Sequence, residues 1–291
     1  MKQFQAKLNM FRRQIDKRLD ELLPPARAGI VNEAMRYSVE NGGKRVRPVL
    51  SLAFCEFCQA DYEQALNSAC AVEMIHAYSL IHDDLPCMDD DDMRRGKAAC
   101  HIKYGQATAL LAGDALLTLA FEVIAKANLS PKTLIDSVAL LSKAAGWAGM
   151  LGGQAMDLAN EGKRVGLDTL IETDEKKTGA LIVAACRLGC LAAQASEADI
   201  KLAGDFAQNI GLAFQIIDDI LDVTQSTQTL GKTAGSDAEN EKSTYVTVAG
   251  LDRAQEKAHE LLQKAEAVLL SSDRDAEFLL WYARQLSGRK S

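Results

Sequence analysis

Apolar positions recur at three- and four-residue spacing along most of this chain, a period that predicts helices rather than strands. A first amphipathic helix is expected over about residues 3–22, closed by Pro24-Pro25. A second is expected over 26–40 and stopped by Asn41-Gly42-Gly43, because glycine accepts left-handed geometry at a helix end. The segment 46–59 is apolar on most faces, and Pro48 suits its first turn. The segment 62–85 is long and nearly all apolar, so it should run through the centre of a bundle until Pro86 ends it. Further helices are expected over 104–127, 131–147, 168–191, 197–223, 251–270 and 273–286. Gly149, Gly152 and Gly153 punctuate the chain before Gln154 and Asp157. Lys176-Lys177-Thr178-Gly179 falls inside 168–191, where Thr and Gly are poor helix formers and predict a bend or a freed carbonyl. A polar, Gly-containing loop is expected over 224–243. No segment sustains period-two alternation and no linker divides the chain, so the expected fold is an all-α bundle forming one domain over 1–291.

Composition sharpens this picture. With 48% hydrophobic and 5% aromatic residues, a sizeable core is available and helix is favoured over strand. No apolar run looks both long enough and uncharged enough to span a bilayer, and the opening residues lack a secretion-signal core. A cytoplasmic location is therefore expected, with the seven cysteines as reduced core thiols. Cys55 and Cys58 form a C-x-x-C without partners at zinc spacing, so no metal is expected there. The net charge of −7 argues against a nucleic-acid partner.

The candidate chemistry begins at HAYSLIHDDLPCMDDDDMRRG, residues 76–96. Crowded carboxylates repel, and they need either open water or a hard cation that prefers oxygen. Alone, such a run reads as a solvated loop, and no EF-hand spacing follows it. Arg94 and Arg95 suit an anion, since guanidinium forks match phosphate oxygens. A second acidic site lies far downstream in FQIIDDILD, residues 214–222. Its aspartates sit in an apolar helix, where charge is costly unless paired or metal-bound, and Asp218 and Asp222 share a face one turn apart. Together these features suggest a diphosphate clamped by Mg²⁺, and bound cations reconcile that with an acidic chain. A faint echo supports two facing sites: Asp83-Asp84 to Gly96-Lys97 and Asp218-Asp219 to Gly231-Lys232 repeat one order. His76 lies two turns before Asp83 on roughly the same face, yet a lone helical histidine is more often a packed core residue. Lys44 and Arg47 alone read as ordinary surface charge.

The motifs GGKRVRP, DDLPCMDDDDMRRG, GGQAMD, KKTGAL, FQIIDDILD and GKTAGSD…EKSTY, in this order, resemble the trans-isoprenyl diphosphate synthases, most closely the bacterial farnesyl diphosphate synthases. The resemblance covers nearly the whole chain and implies a helix bundle of the isoprenoid synthase type with a central cavity. It implies that Asp83, Asp84 and Asp89, with Asp218, Asp219 and Asp222, hold three Mg²⁺ (Mn²⁺ being possible) on an allylic diphosphate. It implies that Arg94, Lys177 and Lys232 bind that diphosphate, and that Lys44, Arg47, His76 and Arg95 form the isopentenyl diphosphate pocket. Thr178 and Gln215 would stand beside the developing carbocation, and Lys242 would belong to a closing loop. A homodimer is the family expectation.

The reaction so implied condenses isopentenyl diphosphate with dimethylallyl and geranyl diphosphate to farnesyl diphosphate, with no enzyme nucleophile. Tyr78 and Ser79 lie five and four residues before Asp83, roughly 6–8 Å along a helix, where a bulky Tyr78 would floor the cavity. Tyr78 as a plain core aromatic is the alternative. A geranylgeranyl synthase differs only in product length. A terpene cyclase would not need Lys44, Arg47 and His76, and a non-catalytic partner subunit would be expected to lose motif carboxylates that are all present here.

Overall fold

The computed structural model describes residues 1–224 and 243–287, and among these the fold is all-α apart from one two-residue hairpin. Helix α1 (Lys2–Leu22) buries Leu8, Phe11, Ile15 and Leu19, one stripe at helical spacing. Helix α2 (Ile30–Glu40) follows, and α3 (Val46–Phe57) starts from Arg45, which takes a left-handed φ of 51°. That conformation turns the Arg45 side chain into the core. There its guanidinium donates to Glu73 at 2.7 Å, Asp16 at 2.8 Å and the Val39 carbonyl at 2.8 Å.

Helix α4 (Leu66–Asp83) is central, as its uniform apolarity predicts: it packs against α1, α3 and the later α6 and α10. It is shorter than expected, because Asp61 caps a separate 3₁₀ turn, Tyr62–Ala65, through the Glu63 amide. The hairpin pairs β1 (Met93–Arg94) with β2 (Lys97–Ala98). Arg95 and Gly96, both at positive φ, form its turn, a signal the helical reading passed over. Gly105 at φ 83° then separates α5 (Cys100–Tyr104), a short helix that was not expected, from α6 (Gln106–Ala125), which starts two residues after the expected 104. Ser130 caps α7 (Pro131–Ala145), with Pro131 in its first turn.

Helix α8 (Met150–Asn160) was not expected, because Gly152 and Gly153 lie inside it. A Cβ on Gly153 would collide with the Lys177 backbone, so the residue that weakens the helix is the one that lets it dock. The expected bend in 168–191 is a π-turn, Glu175–Gly179, between α9 (Leu167–Asp174) and α10 (Ala180–Ala192). Helix α11 (Glu197–Thr224) matches its expected span. After the undescribed stretch come α12 (Tyr245–Ala249), with Thr244 and Thr247 in a capping box, then α13 (Leu251–Leu270) and α14 (Glu277–Ser287).

Two readings need correction. By length and hydropathy, Gln106–Ala125 and Pro131–Asn160 both pass for membrane-crossing stretches, contrary to the expectation that no run would. Helix α6 nevertheless buries Ala109, Ala112, Gly113, Leu116 and Ala120 against neighbouring helices, as core helices do. The second concerns the thiols. All seven cysteines are free as expected, but Cys87 is exposed and Cys58 half-buried, so they are not all core residues.

Candidate active site

Helix α4 delivers Asp83 to the end of a central cavity, and the Leu85-Pro86 break folds the acidic loop back across it. The Asp89 amide donates to the Asp83 carbonyl at 2.9 Å, which returns Asp89 to the helix end. Burial pushes the Asp83 carboxyl up to about 6; Lys177 opposes the shift and Asp89 adds to it. The adjacent Asp84 points elsewhere. It is 2% exposed and accepts from Arg94 Nε at 2.8 Å, with a second bond from Arg94 Nη2 to the same oxygen. Arg94 also reaches Asp91 at 2.8 Å. Asp84 and Arg94 thus hold the hairpin onto α4.

Arg95 reaches the other way. Its Nη1 donates to the Gly42 carbonyl, and a Cβ on Gly43 would lie 2.7 Å from its Cζ. The double glycine therefore gives Arg95 room to lie against the 41–45 loop. Arg47, Arg95 and His76 crowd together, and burial with Arg47 and Arg95 nearby holds the His76 imidazole well below its usual range. His76 is therefore a neutral hydrogen-bonding group at pH 7. The Arg47 Nε is buried without a hydrogen-bond partner among the described residues. Arg47 and the neutral His76 line one cavity, with Arg95 close by, and a guanidinium beside an imidazole suits a diphosphate. Lys44 is exposed on the same loop and does not line the cavity.

The cavity itself has a volume of about 350 Å³. It is lined by Arg47, His76, Tyr78, Ser79, Asp83, Lys177 and Thr178, residues that the motifs place far apart in the chain. The π-turn brings the last two there. Lys177 Nζ bonds Asp157 at 2.6 Å, and Thr178 Oγ1 donates to Gln215 Oε1 at 3.2 Å. Gln215 Nε2 donates to Asp219 at 3.2 Å, and the Tyr245 amide donates to the other Asp219 oxygen at 2.8 Å. Both Asp219 oxygens are thus engaged in protein contacts. Asp218 is half-buried within electrostatic reach of Arg47, and Asp222 is buried one turn further on. Lys232 and Lys242 lie outside the described residues.

No three His, Cys, Asp or Glu side chains among the described residues are close enough to form a metal cage on their own. Mg²⁺ does not need one. It is commonly held through one or two carboxylates, its own waters and substrate phosphates. The donors present are carboxylate oxygens, and burial, with Asp89 adding to it, makes Asp83 resist ionisation, a penalty that a divalent cation relieves. The residues therefore fit Mg²⁺.

Three acidic groups had no role in the sequence reading. Glu73 anchors Arg45, Asp157 holds Lys177, and Asp174 lies half-buried at the start of the π-turn, with its Oδ2 buried. GGQAMD was the only signal for Asp157. Burial, followed by Asp219 and Asp157, pushes the Asp174 carboxyl up to about 8. A carboxyl raised in this way binds its proton more tightly folded than unfolded. Its contribution to stability is complete below the ordinary carboxylate value of about 4 and is lost as pH rises towards 8. Asp174→Asn should therefore melt like the parent in acid and progressively above it towards pH 8. An advantage of equal size at every pH would refute that account.

An all-α bundle in which one cavity joins a carboxylate helix end to a cationic pocket is the architecture of a prenyltransferase. The polyprenyl synthetase model matches residues 28–276, and the chain belongs to that family. Geranylgeranyl pyrophosphate synthase 3, chloroplastic, of Arabidopsis thaliana is 47% identical over 278 residues, covering 93% of this chain and 77% of that protein. The chloroplastic geranylgeranyl pyrophosphate synthase of Capsicum annuum is 46% identical over 262 residues, covering 89% and 71%. Among solved structures, an FPP/GFPP synthase from Zymomonas mobilis is 37% identical with a TM-score of 0.86, over 98% of this chain and 99% of that one. Geranylgeranyl pyrophosphate synthetase from Pyrococcus horikoshii is 30% identical with a TM-score of 0.91, over 99% of both chains.

Proposed function

We propose that this chain joins isopentenyl diphosphate to an allylic diphosphate, dimethylallyl or geranyl, in one prenyltransferase domain. The observation that carries this reading is the convergence of Arg47 and His76 with Asp83, Lys177 and Thr178 on one cavity. Arg47, His76 and Arg95 would hold isopentenyl diphosphate, with Lys44 swinging in from the loop. Lys177 and Arg94 would meet the allylic diphosphate, joined by Lys232 and Lys242 of the undescribed stretch. Mg²⁺ or Mn²⁺, held by Asp83 and Asp89 on one side and Asp218 and Asp222 on the other, would neutralise charge on the leaving group. Asp84 and Asp219 would act by positioning Arg94 and Gln215.

The chemistry asks little covalent work of the protein. The C1–O bond of the allylic substrate breaks, and its electron pair leaves with diphosphate. The alkene of isopentenyl diphosphate then bonds to C1, and the product cation loses a proton to the released diphosphate. The side chains orient both substrates and keep water out. Incubation with isopentenyl and dimethylallyl diphosphates should give longer prenyl diphosphates, and a chelator should stop it. Consumption of an allylic diphosphate alone would point to a terpene cyclase instead.

On product length, the named curated relatives favour geranylgeranyl diphosphate over the farnesyl product expected from the sequence. Tyr78 favours the shorter one. It lines the cavity five residues before Asp83, is 2% exposed and sets its ring edge-on to His82 at 5.7 Å. Ser79 is small and bonds back to the His76 carbonyl at 3.0 Å, so Tyr78 is the bulkier obstacle. Tyr78→Ala should lengthen the product by at least one isoprene unit, read by chromatography of the dephosphorylated alcohols. An unchanged product would remove Tyr78 as the floor.

A homodimer belongs to this reading, and the exposed Leu111, Ile135 and Trp147 of the α6–α7 region support an apolar contact face. A cytoplasmic location belongs to it too. The chloroplastic relatives make a plastid the alternative, which cell fractionation distinguishes.

A further inference from the structure

Gln154 lines the same cavity as Asp83, Lys177 and Thr178, and it is 7% exposed. Neither its Oε1 nor its Nε2 has a hydrogen-bond partner among the described residues. A buried amide left in this state destabilises a protein, and a Leu or Met of similar size would pack there without that cost. Its position follows from the helix that carries it. Gly153 lets α8 approach the Lys177 backbone, so the next residue is held beside the π-turn that presents Lys177 and Thr178. The Thr178 hydroxyl is already used by Gln215, and Lys177 by Asp157. Gln154 is thus a polar side chain facing the cavity with its hydrogen-bonding capacity unspent.

We infer that Gln154 is a further catalytic residue, whose amide oxygen faces the allylic carbons and stabilises the positive charge that develops there as the C1–O bond breaks. This rests on the proposed prenyl transfer. The physical basis is a fixed dipole in a site that excludes water. Its negative end is aimed at charge that exists only as the reaction proceeds, so it costs no reorganisation at that moment. The same dipole does little for the neutral hydrocarbon of the ground state, so it should act on turnover rather than on substrate binding. The electron pair still leaves with diphosphate, and Gln154 neither gives nor takes a proton.

The test uses the full chain with Mg²⁺ and two unreactive ligands. One is a thiolo analogue of geranyl diphosphate, which is neutral along its chain. The other is an ammonium analogue of the allylic cation, supplied with inorganic diphosphate. Gln154→Met should keep or raise the melting temperature and leave KM for isopentenyl diphosphate unchanged, while lowering kcat by about a hundredfold. By calorimetry, it should weaken the ammonium ligand at least about tenfold more than the thiolo ligand. Gln154→Glu keeps an oxygen in place and should restore the preference for the ammonium ligand. Equal weakening of both ligands would mean that Gln154 serves the diphosphate or the packing, and the inference falls. A melting temperature that drops in step with kcat, or a variant that does not fold, also overturns it. If the parent protein binds neither ligand, prenyl transfer itself is wrong, a result distinct from the others.

Discussion

Asp83→Asn is expected to lower kcat by about a thousandfold or more while leaving the protein as stable as before, or more so. Asparagine keeps the size of the side chain and removes only its charge. In the metal-free protein that charge is unfavourable, since burial, aggravated by Asp89, pushes the carboxyl up to about 6. Removing it should therefore raise the melting temperature in magnesium-free buffer near pH 7. The same substitution strips a ligand from the proposed cation site, and the charge of the leaving diphosphate is then poorly met. Asp218→Ala is expected to lose turnover on a similar scale from the opposite helix. Asp84→Asn should behave differently, because Asp84 is buried against Arg94 and its loss leaves that guanidinium only the exposed Asp91 as a partner. It should cost stability, and its effect on turnover should follow from that. Near-normal turnover in Asp83→Asn or Asp218→Ala, at saturating Mg²⁺ and substrates, would eliminate the clamp.

Glu73→Ala is expected to destabilise the fold by about 3–5 kcal/mol, or roughly 10 °C in melting temperature. Glu73 and Arg45 are 2% and 6% exposed, and they meet at 2.7 Å in the core. Forming such a pair brings little net stability, because both charges are stripped of water. Breaking it is costly, because Arg45 stays buried, held by its φ of 51° and by the Val39 carbonyl. Glu73 also lies 4.0 Å from Arg95, so its removal leaves the Arg47–Arg95 cluster with less opposing charge. Scanning calorimetry or denaturant unfolding measures the change. A loss below about 1 kcal/mol would mean that Asp16 alone suffices for Arg45.

How far the chain could be read before folding differs from helix to helix. The ends of α4 and α11 were legible because unbroken apolar runs leave little but helix, and carboxylates inside them stand out. Helix α8 was not, since two glycines argue against helix unless a partner backbone needs the space. The start of α6 was read two residues early, at 104, for a related reason. Gly105 looks like a tolerated helix residue until its φ of 83° is seen. Glu73 carried no signal, because a single acid in an apolar run shows neither its partner nor its depth.

The sequence by itself determined the all-α fold, the two acidic helix ends and the basic residues that accompany them, because helical period and charge are local properties of the chain. Only the tertiary structure decided which member of the first aspartate pair lines the cavity. Neighbouring helical residues point about 100° apart, so Asp83 turns inward while Asp84 is taken by Arg94. Only packing, too, set Gln154 beside Thr178. The contact between α8 and the π-turn brings together Gly153 and Lys177, 24 positions apart in the chain, and no periodicity within either segment encodes it.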